Sequence, residues 1–416
     1  MPIWKVRGGN ALKGEVNIQG AKNAVLPILA ASLMSGGEVL LHGCPCLLDV
    51  DAALEILNHL GCRAGQNGGD IYIDARGVDK THIPHALMLK MRSSVIFMGA
   101  ILARMGEAVL STPGGCELGP RPIDLHLGGL SALGTEISEE GGEVCCRTAG
   151  LKGAEINLDF PSVGATENIM IAACTAEGET VITNAAREPE IEDLQDFLRC
   201  MGADIRGAGS PVIHISGVRA LHGAEYTVMR DRMAASTFLC AAASAGGDVF
   251  LRGAVAEQFS TVVSALRDMG CGIVSGRDGV RVRSDGRLKA GRPVVTRPYP
   301  GFPTDAQALL MAASLKADGT QVFVENIFAS RYRHAEELKR MGADIRTEGR
   351  VAMVTGVPRL WGAPVTASDL RGGAAMILAA LTADGETAIS DSGHILRGYD
   401  GLERDLQGLN AEIRTE

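Results

Sequence analysis

Six tandem βαβαββ units, arranged as two α/β domains of three units each, are the fold that the 416-residue sequence predicts. Three observations support this prediction. An apolar-Gly-small motif recurs with its second residue at positions 61, 134, 202, 270, 342 and, as Asn, 410, which are 68 to 73 residues apart. A Gly after an Ala-rich segment recurs every 66 to 72 residues. Finally, the last unit stops early, and the N-terminal residues match the segment that it lacks.

Each unit contains two helices and four short strands in the same order. The first helix is rich in Ala, Leu and Met, which favour helix, and its repeated Gly is expected to close it in the left-handed conformation. A short β-rich segment follows, such as residues 38–41 or 321–324. A second helix, for example residues 334–340, then runs into the apolar-Gly-small motif. Two further strands complete the unit.

The two ends of the chain are expected to share one domain. Residues 9–14 match residues 217–223 and 356–362, and each of these segments leads into a first helix. Residues 1 to about 20 should therefore complete the sixth unit. This predicts a discontinuous domain of residues 1–20 and 230–416 and a second domain of residues 21–229. An open solenoid is the alternative, but closure of the termini counts against it.

Composition excludes several classes of function. The net charge of −9 disfavours a nucleic-acid partner, although it permits a small anionic ligand. No run of about 20 apolar residues predicts a membrane span, and the first residues lack a signal-peptide pattern, so we expect a cytoplasmic protein. The ten cysteines are expected to be reduced thiols, and their spacing predicts no metal site.

Cations recur where the first helices are expected to begin. The residues at these starts are Lys22, Arg92, Gly164, Arg232, Thr304 with Asp305, and Arg371. The helix dipole disfavours a cation at this end, so four cations in six matched positions need an explanation. Bound anions would supply one, because free N–H groups at helix starts bind phosphates and carboxylates.

Two segments interrupt the repeat and carry reactive side chains. Residues 112–126 form a Gly- and Pro-rich loop that contains Cys116 among basic residues, a setting that favours a reactive thiol over an inert one on a turn. Residues 299–307 place Asp305 at a helix start. That carboxylate is either a simple N-cap or a general base.

Taken in order, these and related motifs resemble the UDP-N-acetylglucosamine 1-carboxyvinyltransferase family of enolpyruvyl transferases over essentially the whole chain. The matching segments are residues 20–24, 91–94, 113–126, 162–168, 231–232, 300–305, 325–328, 369–373 and 397–399. The resemblance implies an inside-out α/β barrel of two domains with three βαβαββ units in each. It also implies transfer of the enolpyruvyl group of phosphoenolpyruvate to the 3′-hydroxyl of UDP-N-acetylglucosamine, with release of phosphate, as the first committed step of peptidoglycan synthesis.

The same resemblance implies the site residues. The catalytic residues would be Cys116, Asp305, Lys22 and Arg397. Phosphoenolpyruvate would be bound by Lys22, Asn23, Arg121, Arg331, Arg371 and Arg397. UDP-N-acetylglucosamine would be bound by Asn23, Arg92, Arg121, Pro122, Ile123, Asp124, Leu125, Ser162, Val163, Gly164, Thr304, Asp305 and Ile327. Asp305 would take the hydroxyl proton, and Cys116, on a lid loop, would protonate the vinyl carbon or form a covalent adduct. No cofactor and no partner beyond the two substrates is implied, and we expect a monomer.

Four positions depart from the family pattern, and two alternatives stay open. The departures are Ile96, Ala234, Ala329 and Leu396, which leave room for a catalytically weak paralogue that binds sugar nucleotide. The other alternative is the shikimate 3-phosphate enolpyruvyl transferase, which shares the fold and the phosphoenolpyruvate chemistry. That enzyme lacks the loop motif that carries Cys116, so the motif discriminates against it.

Overall fold

The computed structural model describes residues 2–111 and 123–416, and this part of the chain forms two compact units. The terminal unit contains residues 2–19 and 230–416, and the inserted unit contains residues 20–111 and 123–229. The boundaries expected from the sequence differ from these by one residue at the first crossing. The predicted lid loop around Cys116 lies outside the described residues.

Short strands account for most of the extended backbone. In chain order they are β1 (Ile3–Arg7), β2 (Leu12–Asn17), β3 (Glu38–His42), β4 (Arg63–Asn67), β5 (Asp70–Asp74), β6 (His82–Ile83), β7 (Glu107–Ser111), β8 (Glu136–Glu140), β9 (Glu143–Arg147), β10 (Glu155–Asn157), β11 (Glu179–Thr183), β12 (Asp204–Arg206), β13 (Val212–Ser216), β14 (Ala224–Thr227), β15 (Gly247–Arg252), β16 (Gly272–Gly276), β17 (Gly279–Ser284), β18 (Val294–Val295), β19 (Thr320–Val324), β20 (Asp344–Glu348), β21 (Val351–Thr355), β22 (Pro364–Thr366), β23 (Glu386–Ser390) and β24 (Glu412–Thr415).

Helices alternate with these strands. They are α1 (Lys22–Ser32), α2 (Leu48–His59), α3 (His85–Lys90), α4 (Phe97–Met105), α5 (Asp124–Ala132), α6 (Val163–Ala173), α7 (Pro189–Cys200), α8 (Arg232–Ala245), α9 (Ser260–Asp268), α10 (Thr304–Ser314), α11 (Arg333–Arg340), α12 (Leu370–Ala380) and α13 (Leu402–Gly408). Three 3₁₀ helices span Arg92–Ile96, Ala256–Phe259 and Ile395–Arg397. None of the described helices is both long and apolar enough to cross a bilayer.

Each unit contains three four-stranded sheets of one topology. The first strand is parallel to the second, and the second, third and fourth are antiparallel. The strand orders are β2-β15-β17-β16, β18-β19-β21-β20 and β22-β23-β1-β24 in the terminal unit, and β14-β3-β5-β4, β6-β7-β9-β8 and β10-β11-β13-β12 in the inserted unit. In four of these sheets helical chain connects the parallel pair, as such a pair requires. In the other two, β2 and β14 come from a remote stretch of chain. Each sheet with its helices has the βαβαββ plan. The predicted fold class is confirmed.

The N-terminal strands correct one expectation. Strand β1 pairs with β23 and β24, and so completes the sixth unit as predicted. Strand β2 instead pairs with β15 and begins the unit that continues after the second crossing. Strand β14 makes the matching exchange, because it pairs with β3 in the inserted unit. The sequence match could not show this exchange, because the segments of β2 and β14 each precede a first helix along the chain, α1 and α8 respectively.

Three core helices, one from each βαβαββ repeat, lie at the centre of each unit and pack against one another. They are α8, α10 and α12 in the terminal unit and α1, α4 and α6 in the inserted unit. These helices are almost uniformly buried; in α12 every residue from Arg371 to Ala380 is. A helix that is apolar all round needs neighbours on every side. The helices form the centre and the sheets lie outside them, which is the inside-out arrangement that the family resemblance implies.

The apolar-Gly-small motif forms a Schellman cap at the end of the second helix of each βαβαββ repeat. After α2, the N–H of Cys62 donates to the carbonyl of Leu57 and the N–H of Gly61 to that of Asn58. The same pair of bonds closes α5, α7, α9, α11 and α13. The motif's second residue has positive φ in all six copies, including Asn410 at 74°. Left-handed backbone favours Gly and tolerates Asn, which explains the motif.

The second landmark needs a correction. Gly106 is a left-handed cap on α4, with φ of 78°. Gly178, Gly319 and Gly385 also have positive φ, but they stand in the turn beyond the helix, immediately before the next strand. Gly247, with φ of 132°, is the first residue of β15. Gly37 does not adopt positive φ. Of the six glycines at this landmark, only Gly106 closes a helix, and the others mark the way into the next strand.

Candidate functional site

The six core helices begin where the sequence analysis expects. α1, α8 and α10 begin at Lys22, Arg232 and Thr304, and a 3₁₀ helix that leads into α4 begins at Arg92. α6 and α12 begin one residue before the predicted position. Asp231 and Asp369 cap α8 and α12 by accepting two backbone N–H bonds each. These carboxylates complete the helix ends and place negative charge beside the cations that follow them.

In the terminal unit, Asp305 lies between two arginines. Arg331 Nη2 donates to Asp305 Oδ1 at 3.2 Å, and Arg371 Nε donates to Asp305 Oδ2 at 3.2 Å. Both guanidinium side chains are 3% exposed, whereas the carboxylate is 30% exposed. The carboxylate is thus bound by two buried cations and remains partly exposed.

A chain of hydrogen bonds with one defined direction orients Arg371. Thr237 Oγ1 donates to the carbonyl of Met233, so its oxygen accepts from the Tyr399 hydroxyl at 2.8 Å. The Tyr399 oxygen in turn accepts from Arg371 Nη1 at 3.1 Å. Because Tyr399 and Thr237 are buried, this chain fixes the guanidinium on the side opposite Asp305.

The charged state of this cluster is strongly favoured. Burial opposes ionisation of Arg371, but nearby Tyr399, Asp305 and Asp231 together raise its pKa. Burial also opposes ionisation of Asp369, but Arg331 and the N–H of Gly372 lower the pKa of that carboxyl. The neighbouring His334 is buried, and its pKa falls to about 4. A neutral His334 therefore adds no further positive charge beside the two arginines.

Glu325 organises two other predicted ligands. One of its oxygens accepts from the Thr304 hydroxyl at 3.0 Å, and the other accepts from the N–H groups of Ile327 and Phe328. A buried carboxylate thus links Thr304 to Ile327. The Thr304 hydroxyl and the Ile327 N–H are both bound to it. Arg397 ends the 3₁₀ helix two residues before Tyr399 and is half-buried.

In the inserted unit, Lys22 at the start of α1 has a carboxylate partner. Its Nζ lies 2.7 Å from Asp49 Oδ2 on α2, and both side chains are largely buried. The next residue, Asn23, is exposed. A buried pair of this kind neutralises the charge of Lys22, for which the sequence pattern indicates no partner. Asp49 was not among the predicted site residues.

Another part of the inserted unit connects α6 with α5, with α4 and with the 3₁₀ helix that precedes α4. Ser162 caps α6, its Oγ accepting from the N–H of Ala165, and Val163 and Gly164 follow in the first turn. The imidazole of His126, on α5, packs against Gly164. Asn168 on α6 bonds to His126, to Val95 and to Gly99. These bonds connect α6 with α5, the first residues of which are Asp124 and Leu125, and with the 3₁₀ helix that begins at Arg92.

Several predicted residues are not placed in detail. Cys116, Arg121 and Pro122 lie outside the described residues, and the side chain of Arg92 is not described. Ile123 immediately precedes α5. Of the departures from the family pattern, Ile96 and Ala234 are buried, whereas Ala329 and Leu396 are exposed. Within the described ranges, no group of three His, Cys, Asp or Glu side chains could hold a metal ion.

Comparison with known proteins identifies the family. The family model described as EPSP synthase (3-phosphoshikimate 1-carboxyvinyltransferase) matches residues 6–406. The chain belongs to the EPSP synthase family. A crystal structure of the enolpyruvyl transferase NikO from Streptomyces tendae superposes with a TM-score of 0.89 and 26% identity, covering 100% of this chain and 98% of that one. EPSP synthase from Acinetobacter baumannii has the same fold, with a TM-score of 0.75 and 21% identity over the full length of both chains.

Curated members of the EPSP synthase family are more similar still. UDP-N-acetylglucosamine 1-carboxyvinyltransferase 2 of Caldanaerobacter subterraneus subsp. tengcongensis is 50% identical over 99% of both chains. UDP-N-acetylglucosamine 1-carboxyvinyltransferase 1 of Symbiobacterium thermophilum is 51% identical over 99% of this chain and 94% of its own. The resemblance found in the sequence is therefore confirmed.

Four residues that contact predicted site residues or their neighbours were missed as site residues. They are Asp49, His126, Asn168 and Tyr399, and three of them stand inside the motifs that carry the resemblance. The motifs therefore held the signal, but each role depends on a partner that is remote in sequence. Tyr399 and Thr237, for example, are 162 residues apart.

Proposed function

We propose that the protein transfers the enolpyruvyl group of phosphoenolpyruvate to the 3′-hydroxyl of UDP-N-acetylglucosamine and releases phosphate, the first committed step of peptidoglycan synthesis. The observation that carries the proposal is the partly exposed Asp305 carboxylate, which the buried Arg331 and Arg371 hold in place. A carboxylate in this position suits a general base that takes the hydroxyl proton. The relatives at 50% identity favour the sugar nucleotide over shikimate 3-phosphate as acceptor.

Cations bind the phosphoenolpyruvate in this proposal. Lys22, Asn23, Arg121 and Arg397 hold its phosphate and carboxylate, and Arg331 and Arg371 contribute while they also hold Asp305. The Nε of Arg331 is buried and has no hydrogen-bond partner among the described residues, which supports an added acceptor near it. Arginine suits this task because its planar fork matches carboxylate and phosphate oxygens.

The sugar nucleotide lies along the helix starts. In the inserted unit it contacts Arg92, Arg121, Pro122, Ile123, Asp124, Leu125, Ser162, Val163 and Gly164. The sugar contacts Asn23, Thr304, Asp305 and Ile327. Free N–H groups at the start of α6 suit its diphosphate. The Thr304 hydroxyl and the Ile327 N–H are bound to Glu325, so these residues contribute through their remaining atoms.

The reaction divides into addition and elimination. The sugar oxygen bonds to C2 of phosphoenolpyruvate as Asp305 takes the hydroxyl proton, and the Cys116 thiol gives a proton to C3. The tetrahedral intermediate then loses a C3 proton, its C2–O bond to phosphate breaks, and the vinyl ether and phosphate leave. The carboxylate beside a developing cationic centre also stabilises the charge. A lid loop around Cys116 would exclude competing water.

Phosphate release under substrate control tests the proposal. Release should require both phosphoenolpyruvate and UDP-N-acetylglucosamine, and Asp305→Ala should abolish it. If shikimate 3-phosphate replaced the sugar nucleotide as acceptor, the proposal would be wrong.

The thiol has a separate test. Fosfomycin, which alkylates the thiol of this class of enzyme, should add once to Cys116, as read by intact mass, and a Cys116→Ser variant should stay unlabelled. An unmodified wild-type mass would contradict a reactive thiol without touching the fold. We further propose that the chain acts as a cytoplasmic monomer. Light scattering after size exclusion measures its oligomeric state.

A further inference from the structure

A buried amide–imidazole pair in the inserted unit links the middle of α6 to the first turns of α4 and α5 and to the 3₁₀ helix before α4. Asn168 is fully buried on α6. Its Oδ1 accepts from the N–H of Gly99 at 2.6 Å, and its Nδ2 donates to the carbonyl of Val95 at 3.0 Å. The same Nδ2 lies 3.0 Å from Nδ1 of His126. Every polar atom of the amide is therefore in use.

The backbone partners determine which way the amide points. An N–H can only donate and a carbonyl can only accept, so the oxygen of Asn168 must face Gly99 and its nitrogen must face Val95. His126 Nδ1 then receives an N–H and must itself be unprotonated. A neutral imidazole with a bare Nδ1 carries its proton on Nε2. Burial lowers the pKa of His126 to about 4, which keeps the ring neutral at pH 7.

The protonated edge of the ring faces the start of α6. A methyl group placed on Gly164 would lie 3.1 Å from Cε1 and 3.3 Å from Nε2 of His126, so the absence of a side chain there lets the ring approach the first turn. His126 is 7% exposed, and no described residue accepts a hydrogen bond from its Nε2. In the first turn of α6 the N–H of Ala165 is bound to Ser162 Oγ, whereas the earlier N–H groups, of Val163 and Gly164, have no partner within the helix. The Nε2–H of His126 thus lies beside a helix turn that still has N–H groups to donate.

We propose that the Nε2–H of His126 donates a hydrogen bond to a phosphoryl oxygen of the nucleotide diphosphate at the start of α6, and that Asn168 is the positioning residue that holds this tautomer. The proposal rests on the proposed function, to which it adds a binding residue. A helix start attracts anions. An uncharged donor serves such an anion without the desolvation cost of a buried cation.

The tautomer can be measured directly on the wild-type chain. Long-range ¹H–¹⁵N correlation on histidine-labelled protein at pH 7, with His126 assigned by its loss in a His126→Gln variant, should show a proton on Nε2 and none on Nδ1. A proton on Nδ1, or a charged ring, would overturn the proposal.

Binding of UDP and uridine separates the phosphoryl contact from the rest of the ligand. In a His126→Phe variant, calorimetry should show UDP binding about tenfold weaker, because one hydrogen bond to a charged group is lost. Uridine binding, followed by ligand-observed NMR, should change less than twofold. Unchanged UDP affinity, or an equal loss for uridine, would contradict the proposal.

Two comparisons keep the outcome decisive. His214→Phe changes an exposed histidine of the same unit that pairs with Glu179, and it should bind both ligands as wild type does. Wild-type protein that bound neither UDP nor UDP-N-acetylglucosamine would contradict the proposed function itself. Normal wild-type binding with an unaffected His126→Phe variant would contradict only the role of His126. If that variant fails to fold, the wild-type tautomer decides the question.

Discussion

The two units place a polar side chain at the same position of a core helix and use it in opposite ways. Thr237 and Asn168 each stand six residues after the capping residue, Asp231 in α8 and Ser162 in α6. From Thr237 the hydrogen bonds lead through Tyr399 to Arg371, and so to a charged cluster. From Asn168 they lead to a neutral imidazole and to backbone groups.

This difference separates two tasks. A charged network can hold a carboxylate ionised and oriented, which suits proton transfer. A neutral network that uses backbone partners can fix helix starts and one tautomer, which suits binding. If the comparison is sound, substitutions in the terminal unit should affect turnover most, whereas those in the inserted unit should affect stability and binding most.

The largest expected effect is on turnover. Asp305→Asn keeps the shape of the side chain but removes the base, so kcat should fall by about 10²- to 10⁴-fold. Steady-state phosphate release at saturation of both substrates measures it. Asp318→Asn changes an exposed carboxylate in the turn between α10 and β19; it is the control and should retain wild-type kcat. A loss smaller than tenfold would remove Asp305 from the role of base.

The next effect is on stability in the inserted unit. Asn168→Leu leaves the N–H of Gly99 and the carbonyl of Val95 buried without partners, and should cost roughly 3 kcal/mol of unfolding free energy. Thr237→Val, which removes one buried hydroxyl in the terminal unit, should cost roughly 1 kcal/mol. Urea denaturation compares the two. Equal costs would break the contrast between the units.

A smaller effect should follow pH. The folded pKa of His126 is about 4 against 6.5 in the unfolded chain, so its stabilising contribution is complete above pH 6.5 and is lost as pH falls towards 4. Between pH 7.5 and pH 5, wild type should lose about 2 kcal/mol relative to His126→Phe, at about 1.36 kcal/mol per pH unit below 6.5. Urea denaturation at both values measures this. His334 is present in both proteins and cancels from the difference.

The smallest effect tests how Arg371 is oriented. Tyr399→Phe keeps the ring and removes the acceptor for Arg371 Nη1, so kcat should fall about five- to tenfold while both KM values stay within twofold, a loss in keeping with one hydrogen bond to a charged group. A Tyr226→Phe variant, which removes a hydroxyl bound to Asp193 in the inserted unit, should keep wild-type kcat. A change in KM alone would mean that Tyr399 acts on binding instead.

Local chemistry explains which features the sequence could predict. The Schellman caps recur because each needs a residue tolerant of positive φ after a helix, and Gly61 or Asn410 satisfies that need without help from elsewhere in the chain. The partners of Lys22 and Arg371 are different. Asp49 and Asp305 are 27 and 66 residues away along the chain. Nothing in the local pattern chooses them over other carboxylates.

The sequence by itself determined the six-unit plan, the helix starts and the family, because periodic burial and left-handed turns leave local marks at fixed intervals. It could not assign β2 to its sheet, because the same segment can begin a unit in either domain and only strand pairing with β15 decides. The tertiary structure also decided the protonation of His126, since an imidazole's tautomer depends on which group faces it. That group is an amide 42 residues away, whose own orientation is held by two backbone atoms of a third segment.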